Sequence, residues 1–261
     1  MDTEKLVRYH QEGCVGYIVF NRPPANAYNL AFHSDFEQAI QAACADSKIN
    51  AVIIKSNSNK FFCAGADIKE FQSNTFEQNQ SMVDKARQNL DAMEASDKVF
   101  IAQLEGHTMG GGLEIALACD LRFAADKSFL LGMSEIKLGL IPGNGGTQRL
   151  TRLVGVATAM DLLLGGDNIS PQEAKKLGLV NKLFSEQDIE NQVLQFAMRL
   201  GSGPALAIAA TKKAIYAAAD KSINDGLALE RNLSDQLARS EDAKEGFLSF
   251  VEKRPALYQG K

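Results

Sequence analysis

The chain has 261 residues, 45% hydrophobic and 23% charged, with a formal net charge of -4 at pH 7. Such values describe one large globular domain, or one domain with a helical appendage, and exclude a disordered chain. The acidic balance argues against general binding to nucleic acid or to membrane surfaces, so an anionic ligand needs a local basic patch.

The four cysteines, Cys14, Cys44, Cys63 and Cys119, are widely spaced in apolar contexts. They are expected as buried, reduced thiols in a reducing compartment. His10, His33 and His107 lack ligand spacing, so no metal site is expected. The start, Met1 to Lys5, is polar and has no charged-then-apolar leader pattern, and no apolar run approaches membrane-spanning length. The expectation is a cytoplasmic protein with no membrane partner, or a mitochondrial-matrix form whose presequence has been removed.

Val15 to Phe20 is rich in strand formers and runs into a turn or loop at residues 21–24. From about Leu30 the apolar residues Phe32, Phe36, Ile40 and Ala43 recur at helical spacing. Ala51 to Lys55 reads as a short strand. In Phe61 to Glu70, the small-residue turn Ala64-Gly65-Ala66 sits between a bulky apolar pair and an acid-bearing segment. Small side chains there leave room for a ligand against the backbone, or make a packed turn between strand and helix. Met82, Ala86, Leu90 and Met93 fit a helix over residues 75–95, with the methionines in the core.

The organising stretch is His107 to Asp120. It follows the apolar run Val99 to Leu104, which reads as a buried strand. Gly110, Gly111 and Gly112 then turn the backbone tightly, and Leu113 to Ala118 are good helix formers. The helix N-terminus points free N–H groups at whatever sits in the turn, and Glu114 adds a carboxylate beside them. That is half of an acid/base site, or a loop with a helix start and a capping acid. Asp120 to Ala125 reads as another strand. Ser134 to Gly146 places Glu135 before an apolar segment and a glycine-rich loop, with a helix from Thr147 to Leu153. Ser170-Pro171-Gln172-Glu173 is a capping box with proline at the first helical position, and Gly178 ends that helix. Leu179 to Leu183 reads as extended, and Asp188 to Phe250 as helical almost throughout. Alternating strands and helices predict an α/β layer fold.

These stretches together resemble the enoyl-CoA hydratase/isomerase (crotonase) family. The matching pieces are Asn21-Arg22-Pro23, Phe62 to Glu70, Gly110 to Glu114, and Glu135 to Leu150, with Phe250 to Arg254 like the family's ending. The resemblance runs in register over nearly the whole chain. It implies a spiral of repeated ββα units over residues 1–200 and a C-terminal helical trimerisation region over 201–261, in a homotrimer or homohexamer. It also implies that no separate cofactor is needed, coenzyme A being part of an acyl-CoA thioester substrate. By motif, the backbone N–H groups of Ala66 and Gly111 would form an oxyanion hole, where each fixed donor is worth about 3 kcal/mol. Glu114 would act as base toward water and Glu135 as acid toward C2, with Gly143 N–H positioning the water or Glu135. Ala64, Ala66, Asp67, Ile68 and Lys69 would line the CoA slot, with Phe250 and Lys253 contributing from this or a neighbouring subunit.

Three features stand out against relatives. The loop Pro24 to Asn29 is one residue shorter, at a place where a CoA-phosphate contact is expected. The chain between Asp120 and Glu135 is one residue longer, near Phe129 to Leu131. Phe71 lies where an acyl tail would run. The first expectation is a hydratase of 2-enoyl-CoA. The alternative is an isomerase that moves the double bond between C3 and C2 with Glu135 alone. One branch of the family binds RNA through a lysine-studded helix. Here the helix expected from Ser34 to Ile49 has only Lys48 as a basic residue, which argues against RNA.

Overall fold

The computed structural model describes residues 5–261. The reading of the N-terminal leader pattern rests largely on residues 1–4, which lie outside the described residues.

The order begins β1 (Val7–Glu12), β2 (Val15–Phe20), α1 (Leu30–Ala45), β3 (Ala51–Ser56), β4 (Phe61–Cys63), α2 (Ile68–Ser73) and α3 (Phe76–Ala95). It continues through β5 (Val99–Leu104), β6 (His107–Met109), α4 (Gly111–Ala118), β7 (Leu121–Ala125) and β8 (Leu131–Gly132) to a 3₁₀ helix at Glu135–Leu138. Then come α5 (Gly146–Val154), α6 (Val156–Gly165), β9 (Asn168–Ile169), α7 (Pro171–Lys176) and β10 (Lys182–Phe184). Four helices close the chain: α8 (Ile189–Gly201), α9 (Ala205–Asp220), α10 (Ile223–Leu237) and α11 (Glu241–Glu252).

The strands form two sheets, ordered β1-β2-β3-β5-β7-β10 and β4-β6-β8-β9. The chain alternates between them: β3 leads to β4, β5 to β6 and β7 to β8, with helices between the pairs. Successive turns stack in parallel, Ala51 opposite Val99 and Ile101 opposite Leu121 in the large sheet, Phe61 opposite His107 and Thr108 opposite Leu131 in the small one. This is the ββα spiral expected from the resemblance. All residues of β2 and of β5 are buried, as parallel strands covered on both faces require. Helix α1 supplies Phe32, Phe36 and Ile40 to the core, and α8 supplies Ile189, Val193 and Ala197. At the centre, every residue of α4 is buried.

The Lys212 ammonium fastens α9 to this core. It donates to the carbonyls of Met93 at 2.9 Å and Lys98 at 2.8 Å and to Asp120 Oδ2 at 3.0 Å. Tyr216 donates to the other Asp120 oxygen at 2.9 Å.

Several expectations need correction. The first helix ends at Ala45, so Lys48 lies beyond it. Strand and helix around the glycine turn are not directly joined: β6 intervenes, and two of the three glycines belong to α4. Leu179 and Val180 precede β10 rather than forming it. Of the cysteines, Cys63 and Cys119 are buried, but Cys14 is half-buried and Cys44 exposed, all four unpaired. Strand β1, which the sequence reading did not single out, is an edge strand paired among the described residues only with β2, and Val7, Tyr9 and Gln11 are less exposed than Arg8, His10 and Glu12.

Candidate active site

The spiral brings the two small-residue turns together, since β4 and β6 are neighbouring parallel strands and each turn follows one of them. Gly65 has φ 88° and Gly110 has φ 51°, conformations that glycine adopts without a Cβ penalty. A Cβ on Gly65 would come within 3.0 Å of Met109 O and 3.3 Å of Gly111 N, so the turns touch. Ala66 is bridged to Tyr28: Tyr28 N–H donates to Gly65 O at 2.8 Å and Asp67 N–H to Tyr28 O at 2.9 Å. The N–H of Ala66 itself has no backbone acceptor among the described residues. Gly111 opens α4, so its N–H has no intrahelical acceptor.

Both carboxylates come to this place. Glu114 lies in the first turn of α4 and is 1% exposed. Its Oε1 accepts the backbone N–H of Asn144 at 2.7 Å and of Gly146 at 2.8 Å. Burial pushes the Glu114 carboxyl up to about 7; the two N–H donors pull it down, and the neighbouring Glu135 pushes it up again. Glu135 opens the 3₁₀ helix, and its Oε1 lies 3.0 Å from where a Cβ on Gly110 would stand. Among the described residues its Oε2 is buried with no hydrogen-bond partner, and burial raises this carboxyl too. The strands on either side of the segment near Phe129 hold the turn in place. Thr108 N–H donates to Leu130 O at 3.0 Å and Gly110 N–H to Gly132 O at 2.8 Å.

The loop that clamps Glu114 is itself braced. Arg149 donates to Asn144 O at 2.7 Å and to Glu94 Oε1 at 2.6 Å, and Arg87 Nε donates to Gly143 O at 2.7 Å.

The residues expected along the CoA slot divide. Ala64 opens the first turn, and Asp67, Ile68 and Lys69 follow it, with Ile68 and Lys69 exposed. The Asp67 carboxylate is engaged: Arg22 Nη2 donates to it at 2.8 Å, and it caps α2 through Glu70 N–H. Arg22 also donates to Ala27 O, closing the loop of residues 24–29 onto the turn. Phe250 on α11 and Lys253 just past its end are exposed, and among the described residues no hydrogen bond, ion pair or ring contact joins them to the two turns.

Tyr28, Asn144 and His33 escaped the sequence reading. Asn144 Nδ2 donates to the Tyr28 hydroxyl at 3.0 Å, next to Glu114. Behind Tyr28 the His33 ring packs edge-on at a centroid distance of 4.5 Å, fully buried, both ring nitrogens unpartnered. The only sequence signal was a polar residue on an otherwise apolar helical face.

The chain's residues 10–261 match the family model described as Enoyl-CoA hydratase/isomerase. The chain belongs to the enoyl-CoA hydratase/isomerase family. It is 37% identical over 246 residues to the mitochondrial enoyl-CoA hydratase of Pongo abelii, covering 94% of this chain and 83% of that protein. It is 35% identical over 245 residues to the 2,3-dehydroadipyl-CoA hydratase of Escherichia coli (strain K12), covering 94% of each. Among solved structures, an enoyl-CoA hydratase of Geobacillus kaustophilus HTA426 superposes with a TM-score of 0.95 at 38% identity, covering 99% of this chain and 98% of that one. The crotonase fold and an acyl-CoA-processing enzyme are thereby established for this chain.

Proposed function

We propose that the chain is an enoyl-CoA hydratase that adds water across the double bond of a 2-trans-enoyl-CoA. The observation that carries this reading is the convergence of two carboxylates, the buried Glu114 and the half-buried Glu135, on the glycine turn that opens α4. An isomerase needs one such group to shuttle a proton. Adding water needs a base at C3 and an acid at C2.

In the proposed step, Glu114 takes a proton from water as the water oxygen bonds to C3. The π-electron pair moves toward C2 and the thioester oxygen, which becomes an enolate held by Ala66 and Gly111 N–H. Glu135 then gives its proton to C2, and the carbonyl is restored. Exchange with solvent returns both carboxyls to their starting states. Burial raises both carboxyls, Glu114 to about 7, while two backbone donors act the other way on Glu114 by stabilising its charged form; Glu135 Oε2 has no such donor among the described residues. Gly143 N–H helps place the water.

The CoA moiety runs past Ala64, Ala66, Asp67 and Ile68, with Lys69 offering charge at the edge. Phe250, 85% exposed, and Val251, 77% exposed, lie on α11, whose apolar face is suited to a neighbouring subunit. Assembly into a trimer or a pair of trimers would cover that face and bring Phe250 and Lys253 to another subunit's slot. No cofactor is needed, and the site of action is the cytoplasm or, after processing, the mitochondrial matrix.

The test is the fall in conjugated-thioester absorbance when protein meets crotonyl-CoA, wild type beside Glu114→Ala and Glu135→Ala. The reading expects rapid loss in wild type and collapse in both variants. No loss with any 2-enoyl-CoA, but conversion of a 3-enoyl-CoA that survives Glu114→Ala, would make the chain an isomerase.

A further inference from the structure

The phenol of Tyr28 is almost completely buried, 5% exposed, at the junction of every part of the site. Its backbone is bridged to Ala66. Its hydroxyl stands against α4, where a Cβ on Gly111 would come within 1.9 Å of the oxygen. It accepts the Asn144 side-chain amide at 3.0 Å, and the backbone N–H of that same Asn144 clamps Glu114.

The hydrogen bonds of this pair do not close. An amide nitrogen only donates, so the Tyr28 oxygen is the acceptor in their shared bond, and the phenol proton is left over. No acceptor takes it among the described residues. The Asn144 carbonyl oxygen, Oδ1, is buried and also has no partner. Turning the amide over exchanges the roles and still leaves one donor and one acceptor unmatched. Leaving a buried polar group unpaired is costly, so two unmatched groups on one pair mark a place built for a ligand atom. Burial, then Glu114, raise the phenol well above its ordinary range, so it keeps its proton throughout the working pH range.

A hydroxyl or a water molecule offers an acceptor and a donor on one oxygen atom. The oxygen handled beside Glu114 is the water oxygen that becomes the C3 hydroxyl. We infer that Tyr28 and Asn144 form a recognition pair for that C3 oxygen, Tyr28 donating to it and Asn144 Oδ1 accepting its proton. The inference rests on the proposed hydration. In that reaction the pair would orient the attacking water and bind the hydroxylated product more tightly than the same acyl-CoA without oxygen at C3.

The experiment compares two ligands, 3-hydroxybutyryl-CoA and butyryl-CoA, as competitive inhibitors of crotonyl-CoA hydration, in wild type, Tyr28→Phe and Asn144→Ala. Wild type is expected to prefer the hydroxylated ligand by roughly tenfold, the scale of one buried hydrogen bond. Tyr28→Phe should erase most of that preference while leaving the butyryl-CoA constant within about twofold. Asn144→Ala should do the same, since its backbone N–H to Glu114 remains. Equal losses for both ligands would make Tyr28 a packing residue and overturn the inference. No change in the ratio, or no preference in wild type, would overturn it as well. A chain that does not hydrate crotonyl-CoA refutes the proposed function separately. The two ligands are then titrated directly, and the ratio still decides the pair.

Discussion

The backbone N–H of Asn144 donates to Glu114 Oε1 at 2.7 Å, joining two segments about thirty residues apart in the sequence. With Gly146 N–H on the same oxygen, this bond fixes one side of the carboxylate and leaves the other to meet water. It also sets the energetics of the site, because a carboxylate held this way is buried by the same loop that supplies its donors.

That burial makes Glu114 a pH-dependent cost to folding. Its folded value of about 7 lies above its ordinary 4.5. Its contribution to stability is therefore fully present below pH 4.5 and lost as pH rises through about 7. Glu114→Gln removes the titration. The variant should gain on wild type between pH 5 and pH 8, by on the order of 3 kcal/mol at most. Urea melts at the two pH values read the difference; a gap that stays constant would contradict it.

His33 titrates in the opposite sense. Burial lowers it from 6.5 to about 3, so the folded state keeps it neutral while the unfolded chain takes up a proton below pH 6.5. Stability should fall as pH drops from 6.5 toward 3, by about 2 kcal/mol from this group at pH 5. His33→Leu, which also removes two unpartnered ring nitrogens, should flatten that fall, as read from chemical denaturation at pH 7 and pH 5.

Gly111→Ala tests the crowding at the oxyanion turn. The new Cβ would sit 1.9 Å from the Tyr28 oxygen and 2.5 Å from Tyr28 Cε1, so the helix start or the ring must move. Overpacking of this kind costs about 1–3 kcal/mol, and displacement of the Gly111 N–H should lower kcat by roughly 100-fold or more. A melt together with crotonyl-CoA kinetics checks both.

The Lys212–Asp120 pair predicts how α9 is held. Both groups are largely buried, and Asp120 also accepts Phe100 N–H at 2.7 Å. Lys212→Met leaves the carboxylate buried without its cation and should cost about 3–5 kcal/mol. Adding Asp120→Asn should recover part of it, as equilibrium unfolding of the single and double variants would reveal.

The parts of this molecule legible in the sequence are those whose chemistry is local. Gly65 and Gly110 announce backbone that only glycine adopts easily, Glu114 lies one turn into the helix that follows, and Glu135 precedes its own glycine-rich loop. The alternation of strands and helices carried the α/β class, and the long motifs carried the family. What stayed hidden depends on distant segments meeting. Tyr28 and Asn144 are unremarkable until the spiral places them 3.0 Å apart, and His33 is a helical residue like its neighbours until Tyr28 packs on it. Strand β6 is only three residues long and shows itself by pairing with β4 and β8, not by its composition.

The central claim is that Glu114 and Glu135 together add water to an enoyl thioester. The most direct measurement is mass spectrometry of the product formed from crotonyl-CoA in water labelled with heavy oxygen and, separately, in heavy water. The account predicts one solvent oxygen at C3 and one solvent deuterium at C2 with wild-type protein, and neither with Glu114→Gln or Glu135→Gln at matched times. Deuterium entering at carbon from a 3-enoyl-CoA, with no solvent oxygen incorporated from any enoyl-CoA, would contradict it.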